Sequence, residues 1–501
     1  MTLENRFSLI DEPWIPIADS GRVGLRQIFS NPSYRTLGGN PVQKIAVTKL
    51  LLAIAQAAAT PADDYAWQDL TSTGLAEQCI NYLAQHHDKF WLYGSQPFLQ
   101  IPTIASARTK SVGTVLPEIA TGNTTVLSAV QVESPLSDAD LALLVVQLMG
   151  FALGGKKTDN AVVLSPGYQG KSNDKGKPAT ARAGASLGFR GYLHSFLQGE
   201  TLLQSLWLNL LTAEQIQGLP YQNGLGIAPW ETMPHGEQCP IAQNLQNSLM
   251  GRLIPLSRFC LLTENGLHYS EGIAHLDYKS GLIDPSVAIN RSTNPAKVLW
   301  VDPERRPWRS LTALLSFLEA NGQGFECTYI RQGLLRARKN LARIGIWTGG
   351  LSVSSSATGD QFVSGSNDFV ESFTFINSAD MGDIWYAHLK MEMAALEQLA
   401  KIVYSAVSGY YKNQKADGKK TAAAASNLFW QLCERNYAAL VRDCKNPERN
   451  LALRNSYAQF ANTAYDRYCP NTTARQLNAW AANRPKLRHY LKDPHQAETN
   501  T

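Results

Sequence analysis

The sequence predicts an α+β protein in which a large, irregular mixed α/β N-terminal domain, residues 1–377, precedes a C-terminal four-helix bundle, residues 378–501. Between Tyr192 and Phe375, short apolar segments alternate with turns, a pattern typical of mixed helices and strands. After Asn377, apolar residues recur at helical spacing in four segments that short linkers separate. Because short linkers favour antiparallel neighbours, a bundle is the simplest arrangement of these four helices.

The first 150 residues are expected to form short strands and well-capped helices. Phe7–Ile17 has strand-like apolar spacing and contains two prolines, so it fits an edge strand or a bent strand. Asn40 is placed to cap a helix that starts with proline and covers Pro41–Ala59. More helix is expected within residues 63–93, and Leu141–Met149 is predicted to be a buried helix or strand.

The segment Gly150–Gly191 combines nine glycines with an excess of basic residues. Glycine permits close approach of the backbone to a partner and positive φ angles, and the excess of lysine favours an anionic partner. The simpler alternative is a mobile polar surface loop. The basic residues are Lys156, Lys157, Lys171, Lys175, Lys177, Arg182 and Arg190, against Asp159 and Asp174.

Gly150–Lys157 is the best lead to an enzyme, because it matches the GxxxxGK part of a phosphate-binding P-loop. The match fails at Lys157, where a P-loop has the Ser or Thr that holds magnesium, and no convincing acidic strand follows. The histidines show no HExxH or HxH spacing, and no GxSxG motif is present. The sequence therefore favours a binding protein without a cofactor, with a nucleotide-dependent enzyme as the alternative.

The second half of the mixed domain contains a basic helix and a hairpin. Arg331–Arg343 has the composition of a basic helix. Ile344–Val353 and Phe369–Phe375 are predicted strands, and the Ser-, Gly-, Asp- and Gln-rich segment between them is a long hairpin tip. A polar tip indicates either simple solvent exposure or contact with a partner.

All of the net positive charge lies in the C-terminal quarter. Residues 380–501 contain 17 Lys and Arg against 11 Asp and Glu, a net charge of +6 in a chain whose total is +5. This distribution favours contact with nucleic acid or another acidic surface, although a solvated helical face has the same composition.

Cysteine usage and hydropathy predict a soluble cytoplasmic protein. The seven cysteines are scattered without a CxxC pair, which argues against a disulfide framework and a cysteine-based zinc site. The N-terminus lacks the features of a signal peptide, and the longest apolar run, Leu141–Leu153, is too short to span a bilayer.

Four features in this order resemble the large subunit of Cascade, the CasA family of type I-E CRISPR systems. They are FSLIDEPWIPI at the N-terminus, the apolar helix that leads into a glycine-rich loop, the GG- and Ser-rich hairpin that ends in DFVES, and the C-terminal bundle. The resemblance covers essentially the whole chain.

The resemblance implies a non-catalytic subunit that recognises the protospacer-adjacent motif in double-stranded target DNA and promotes strand separation and R-loop formation. It also implies a guide RNA held by the other Cascade subunits, a small-subunit dimer, and a helicase-nuclease that the subunit helps to recruit. Protein recognition of a short flanking motif is sufficient in such complexes, because base pairing to the guide reads the rest of the target.

The resemblance also implies which residues of this sequence correspond to the family's site residues. A glycine loop that reads the motif from the minor groove matches Gly154, Gly155, Lys156 and Lys157, a lysine finger matches Lys279, and a glutamine wedge matches Gln361 within 355–364. A guide-proximal loop falls on residues 123–131, with Asn123, Thr124, Thr125 and Gln131.

Contacts to the DNA backbone, the displaced strand or partner subunits are expected from Lys171, Lys175, Lys177, Arg182, Lys412, Lys415, Lys419 and Lys420. Some relatives carry a zinc-binding cysteine cluster where this chain has only Cys260, so no metal is predicted. A helical scaffold without a role in DNA binding is a further alternative.

Overall fold

The computed structural model describes residues 4–117, 136–155, 157–172, 175–176, 182–281, 283–319, 324–356 and 360–491. The chain divides into two compact units. The first comprises residues 1–310 and 323–373, and the second comprises residues 311–322 and 374–501. The first unit mixes short strands with helices and the second is helical, so the predicted α+β fold class is confirmed.

The N-terminal segment forms two short ladders instead of one strand. Its strands are β1 (Arg6–Ser8), β2 (Ile15–Ile17), β3 (Gly21–Val23) and β4 (Trp91–Tyr93). β1 pairs antiparallel with β4, whereas β2 pairs antiparallel with β3. The strands separate because a turn follows β1, in which the Glu12 N–H donates to the Ser8 carbonyl at 2.8 Å, and because Pro13 has no N–H to donate.

The described part of the first 150 residues also contains the α-helices α1 (Leu25–Ser30), α2 (Pro41–Ala58), α3 (Asp64–Gln85) and α4 (Asp138–Leu148). Asn40 caps α2, because its side chain accepts a hydrogen bond from the Gln43 N–H, as the sequence predicted. α2 is buried along most of its length and packs against α3 and α4. Ser137 caps α4, so the ambiguous apolar segment that contains Leu141 is a helix.

Two three-stranded sheets organise the rest of the first unit. The remaining strands are β5 (Thr109–Lys110), β6 (His194–Gln198), β7 (Arg258–Thr263), β8 (Gly266–Glu271), β9 (Ile289–Asn290), β10 (Lys297–Val298), β11 (Arg343–Leu351), β12 (Ser354–Ser355), β13 (Gln361–Phe362) and β14 (Phe369–Asn377). One sheet has the order β5-β8-β7, and the other has the order β14-β11-β6, with Trp347 of β11 opposite Phe196 of β6.

Short helices connect these strands, and the basic segment predicted to be a helix forms α10. The helices are α5 (Leu202–Asn209), α6 (Ala213–Gln217), α7 (Pro240–Gln246), α8 (Met250–Leu253), α9 (Leu311–Leu314) and α10 (Thr328–Asn340), of which α9 belongs to the second unit. The predicted hairpin is confirmed: β11 and β14 are its long strands, and β12 and β13 pair near its tip.

The C-terminal helices are α11 (Asp383–Asn413), α12 (Lys419–Glu434), α13 (Tyr437–Asp443), α14 (Pro447–Tyr468), α15 (Ala474–Asn483) and α16 (Arg488–Leu491). The four longest, α11, α12, α14 and α15, pack together as the predicted bundle, and the apolar stripe of α11 is buried. Residues 421–441, predicted from the sequence as one helix, are divided between α12 and α13. Residues 471–491, predicted as the last helix, break around Pro485, as its missing N–H requires.

A buried ion pair connects two helices of this bundle. The Arg454 guanidinium on α14 donates to the Glu392 carboxylate on α11, with an Nη2–Oε1 distance of 2.7 Å, and Asn450 donates to the same oxygen. Within the described part of the chain, we find no helix whose length and apolar character suffice to span a bilayer.

Candidate nucleic-acid interface

The two ends of the glycine-rich segment lie against each other. After α4, residues 150–152 pair with the start of a loop formed by residues 183–191, which we call the 183–191 loop. The Gly184 N–H donates to the Ala152 carbonyl at 2.7 Å, and the Ser186 N–H donates to the Gly150 carbonyl at 3.0 Å. A Cβ on Gly184 would lie 2.4 Å from the Gly150 carbonyl oxygen, so this close packing requires glycine.

The end of the 183–191 loop also depends on glycine. Gly191 has a φ of +88°, and a Cβ there would lie 1.8 Å from the Leu351 carbonyl oxygen on β11. The Val353 N–H donates to the Arg190 carbonyl at 3.2 Å, and the Val301 N–H donates to the Gly191 carbonyl at 2.8 Å. The loop is therefore tied to the hairpin strand and to residue 301.

A buried polar network contacts the 183–191 loop at Ser186. The Lys49 ammonium on α2 forms an ion pair with Asp284 and donates to the Ser186 Oγ at 2.8 Å. Burial alone would raise the pKa of Asp284, but the adjacent Lys49 charge lowers that pKa to about 2. His194 is also buried, within 2.7 Å of the Ser186 carbonyl oxygen, and burial together with the Lys49 charge lowers its pKa to about 4.

Gln361 joins the two glycine-rich regions, and its side chain is only 4% exposed. Its Oε1 accepts a hydrogen bond from the Gly154 N–H at 2.7 Å, and its backbone N–H donates to the Gly154 carbonyl at 3.1 Å. Its Nε2 donates to the carbonyls of Gly188 and Phe189, each at 3.0 Å. The structure therefore places the predicted wedge residue inside the protein, where it clamps the 183–191 loop to Gly154.

The predicted glycine loop, residues 154–157, contacts the hairpin through Gly155 as well as Gly154. Gly155 has a φ of +124°, and a Cβ there would lie 2.9 Å from an Asp360 carboxylate oxygen. The Lys157 ammonium nitrogen is buried and makes no hydrogen bond among the described residues, so burial lowers its pKa while the Asp360 charge offsets part of this effect. Lys156 lies outside the described residues. Gly154 and Gly155 therefore pack against the hairpin, and the Lys157 charge interacts with Asp360 of the hairpin.

A cleft of about 460 Å³ opens on the other side of the 183–191 loop. Residues 183–185 and 188–190 form one wall, and residues 275–279 form the opposite wall. Tyr192 and Trp300 line it with their rings stacked at a centroid distance of 4.9 Å, and the Tyr278 ring meets the Trp300 ring edge-on. Its rim carries exposed Arg190 and Lys279.

Lys279 has a well-defined backbone position on this rim. It lies in a single helical turn, Tyr278–Ser280, in which the Asp277 carboxylate accepts a hydrogen bond from the Lys279 N–H at 3.0 Å. Gly281, with a φ of +85°, ends the turn. The Asp277 carboxylate is thus used by the backbone, while the Lys279 side chain stays exposed beside the cleft.

Several other predicted contacts have different surroundings. Lys171 is buried and paired with buried Glu237 at 2.6 Å, which corrects the expectation that it contacts phosphate. Lys175 and Arg182 are exposed near this segment, and Lys412, Lys415, Lys419 and Lys420 are exposed around the connection between α11 and α12. Asn123, Thr124, Thr125, Gln131 and Lys177 lie outside the described residues.

The P-loop alternative is wrong for this fold. A P-loop connects a strand to the N-terminus of a helix. Here helix α4 runs directly into Gly150, and no helix begins between residues 150 and 193 in the part that the structure describes. The Gly154 N–H, which would face a phosphate, is occupied by Gln361.

Sequence reasoning missed the cleft itself. Glycines 184, 188 and 191 indicate that residues 183–191 form a tightly turned loop. Nothing in the sequence shows that residues 183–190 lie opposite residues 275–279, which are at least 85 positions away along the chain. Exposed Phe189 was also missed, because an isolated phenylalanine in a sequence carries no information on its exposure.

Comparison with known proteins shows similarity over most of the chain. The sequence model of the CRISPR-associated protein Cse1 family matches residues 8–468. A CRISPR-associated protein CasA/Cse1 from Thermus thermophilus is 28% identical over 340 residues, which are 62% of this chain. That match spans 60% of the relative's own length.

Solved structures show the same fold. A crystal structure of Thermus thermophilus CasA matches with a TM-score of 0.74 and 19% identity, over 97% of this chain and 99% of that one. Thermobifida fusca Cse1 matches with a TM-score of 0.74 and 19% identity, over 97% and 98%. A chain of a CRISPR RNA-guided surveillance complex matches with a TM-score of 0.67 and 16% identity, over 96% and 99%.

Proposed function

We propose that this chain, which belongs to the CRISPR-associated protein Cse1 family, is the large subunit of an RNA-guided surveillance complex and recognises a short flanking motif in double-stranded DNA. In this role it starts strand separation without catalysing a reaction. The other subunits, including a small-subunit dimer, hold the guide RNA, and a helicase-nuclease is recruited after the R-loop forms.

The cleft between the 183–191 loop and residues 275–279 carries this proposal. A minor groove about 6 Å wide admits only backbone or slender side chains. The cleft offers glycine backbone at position 188 and the exposed Lys279 side chain on the opposite wall. Arg190 on the rim adds a second cation that is suited to a phosphate.

The position of Gln361 changes the division of roles within the predicted site. In the described structure its side-chain amide forms hydrogen bonds with Gly154, Gly188 and Phe189. We therefore assign to Gln361 the role of fixing the position of the 183–191 loop, which forms one wall of the cleft. Lys279 and the backbone of the loop then contact the DNA, while Gly155 allows the hairpin to pack behind them.

The cluster of exposed lysines around the α11–α12 connection is proposed to contact nucleic acid through phosphates. Four cations within nine residues, at positions 412, 415, 419 and 420, produce an affinity that depends on salt and carries little sequence information. The displaced DNA strand is the partner that such a surface fits.

Lys279→Ala tests the proposal. Assembled complexes with a fixed guide are given duplexes that share the target but vary in the flanking base pairs, and affinity is measured at several salt concentrations. We expect the preference for the best flank over the worst to fall about 10-fold or more, and the salt slope to decrease by about one. Lys339→Ala, which removes an exposed lysine at the end of α10, is the matched control.

Two outcomes would contradict the proposal. If the complex with the unaltered chain binds all flanks equally, the chain has no role in motif recognition and the helical-scaffold alternative gains support. If flank preference exists but Lys279→Ala and Lys339→Ala behave alike, the cleft is not the place where the motif is recognised.

A further inference from the structure

We propose that Asp277 is a specificity-determining residue that accepts a hydrogen bond from the N2 amino group of a guanine in the flanking motif. This inference rests on the proposed function and names the chemical group that the cleft recognises. Asp277 lies two residues before Lys279 on the same wall of the cleft, and its side chain is exposed. This wall therefore carries an acceptor and a donor close together.

The minor groove leaves few groups for a protein to distinguish. Every base pair presents acceptors there, and only a G·C pair adds a donor, the guanine N2 amino group. The Lys279 ammonium can donate to the acceptors of any pair, so it holds the edge of the base pair against this wall. A preference for G·C over A·T then needs an acceptor beside Lys279 that meets the amino group.

The Asp277 carboxylate has an oxygen available for this amino group. Its Oδ1 accepts a hydrogen bond from the Lys279 N–H at 3.0 Å, which uses one of the two carboxylate oxygens. Its Oδ2 has no hydrogen-bond partner among the described residues, and within this turn the carboxylate does not form an ion pair with the Lys279 ammonium. Both charged groups are therefore free to meet a partner.

Several carbonyls on the two walls of the cleft already accept hydrogen bonds within the protein. The carbonyls of residues 188–190 accept from the hairpin, as described above. On the opposite wall, the Leu276 carbonyl accepts from the buried Arg252 side chain at 3.2 Å, and the Tyr278 carbonyl accepts from the Gly281 N–H at 3.1 Å. A charged oxygen without a partner is a stronger acceptor than a carbonyl that already accepts a hydrogen bond.

The backbone on both sides of Asp277 is held in place. Before it, Arg252 holds the Leu276 carbonyl. After it, the Tyr278 ring meets the rings of Tyr192 and Trp300 edge-on, at centroid distances of 6.2 and 6.1 Å. Because a group that is fixed before binding loses little freedom on contact, such an acceptor can discriminate between base pairs.

The same carboxylate disfavours the wrong base pair. Opposite A·T, Asp277 would face only acceptors, so the contact is repulsive. Opposite G·C, it gains a hydrogen bond in which the acceptor is charged. Attraction to one pair and repulsion from the other both contribute to specificity. We expect G·C to be favoured over A·T about 10-fold at this position, which is typical of one well-placed contact.

The first half of the test changes only the DNA. Assembled complexes with a fixed guide are given duplexes with the preferred flank, in which inosine replaces guanine at one flanking position at a time. Inosine lacks the N2 amino group and keeps N3. We expect one replacement to weaken binding about 10-fold, and its position identifies the pair that faces Asp277. At that position of an A·T flank, 2,6-diaminopurine in place of adenine adds the amino group and should strengthen binding.

The second half uses Asp277→Asn. The asparagine oxygen can still accept the Lys279 N–H, so the turn is kept, whereas its NH₂ group cannot accept from guanine. We expect this complex to bind guanine and inosine flanks alike and to bind A·T flanks better than the unaltered complex. Asp417→Asn is the matched control, because exposed Asp417 accepts the Lys419 N–H at 3.1 Å in the same way and the change removes the same charge.

Three results would overturn the inference. They are a preferred flank without any G·C pair, unaltered binding with inosine at every flanking guanine, or a preference for guanine over inosine that Asp277→Asn retains as fully as Asp417→Asn. Each of these leaves recognition of a flanking motif by the complex intact. Equal binding of all flanks by the unaltered complex would instead refute the proposed function.

Discussion

Replacing Gln361 with alanine should loosen the contact between Gly154 and the 183–191 loop. The change leaves one buried N–H, that of Gly154, and two carbonyls, those of Gly188 and Phe189, without their partner. An orphaned buried polar group costs about 1–3 kcal/mol. Because the two carbonyls are partly buried and regain some water, we expect a local loss of about 2–4 kcal/mol.

Native-state hydrogen exchange measures this loss where it occurs. A decrease of about 2 kcal/mol corresponds to about 30-fold faster exchange of the Gly154 amide. Gln78→Ala, which removes an exposed glutamine on α3, is the matched control and should leave that amide unchanged. Gln361→Glu is a sharper variant: it keeps an acceptor for the Gly154 N–H but places a carboxylate oxygen against two carbonyl oxygens.

The two roles considered for Gln361 differ in what these variants do. A clamp predicts faster amide exchange in the free chain, with Gln361→Glu at least as impaired as Gln361→Ala. A wedge that acts only on DNA predicts unchanged exchange in the free chain and slower strand opening. Unaltered protection of the Gly154 amide in Gln361→Ala would therefore refute the role that we assign to this residue.

Two further predictions concern buried charges. Lys171→Ala leaves the Glu237 carboxylate buried without its cation and should lower the free energy of unfolding by about 3–5 kcal/mol in denaturant titrations, whereas Lys175→Ala, which removes an exposed lysine of the same basic segment, should change it little. Because the pKa of His194 is lowered from 6.5 to about 4, its contribution to stability is complete above pH 6.5 and decreases as the pH falls towards 4, by about 3 kcal/mol. Denaturation curves across this range should be flatter for His194→Gln, and identical curves would contradict the assignment.

The sequence predicts the secondary structure best where local signals and tertiary packing agree. The Asn40–Pro41 pair marks the start of α2 because capping and the φ of proline act within one turn. The N-terminal segment was expected to be one strand, yet it forms two, since β1 pairs with the remote strand β4 whereas β2 pairs with its neighbour β3. Strand pairing is a long-range property that local spacing does not reveal.

The number of basic residues in a segment does not show which of them are exposed to a partner. Lys157 and Lys171 belong to the same basic segment as Lys175 and Arg182, but the first two are withdrawn from solvent and the last two are exposed. An acidic residue that neutralises a lysine, such as Glu237 for Lys171, can be far away in sequence. Composition therefore indicates an anionic partner for the segment as a whole and does not identify the residues that contact it.

By itself the sequence determined the helix caps, the apolar stripe of α11, the paired strands of the hairpin and the family to which the chain belongs. Each of these is recorded in residues close to one another or in their order along the chain. Only the tertiary structure decided that Gln361 points inward, that Phe189 points outward and that Lys279 faces the 183–191 loop. The physical reason is that burial and hydrogen-bond partners are set by segments that meet only after folding, so side chains with similar sequence surroundings acquire different roles.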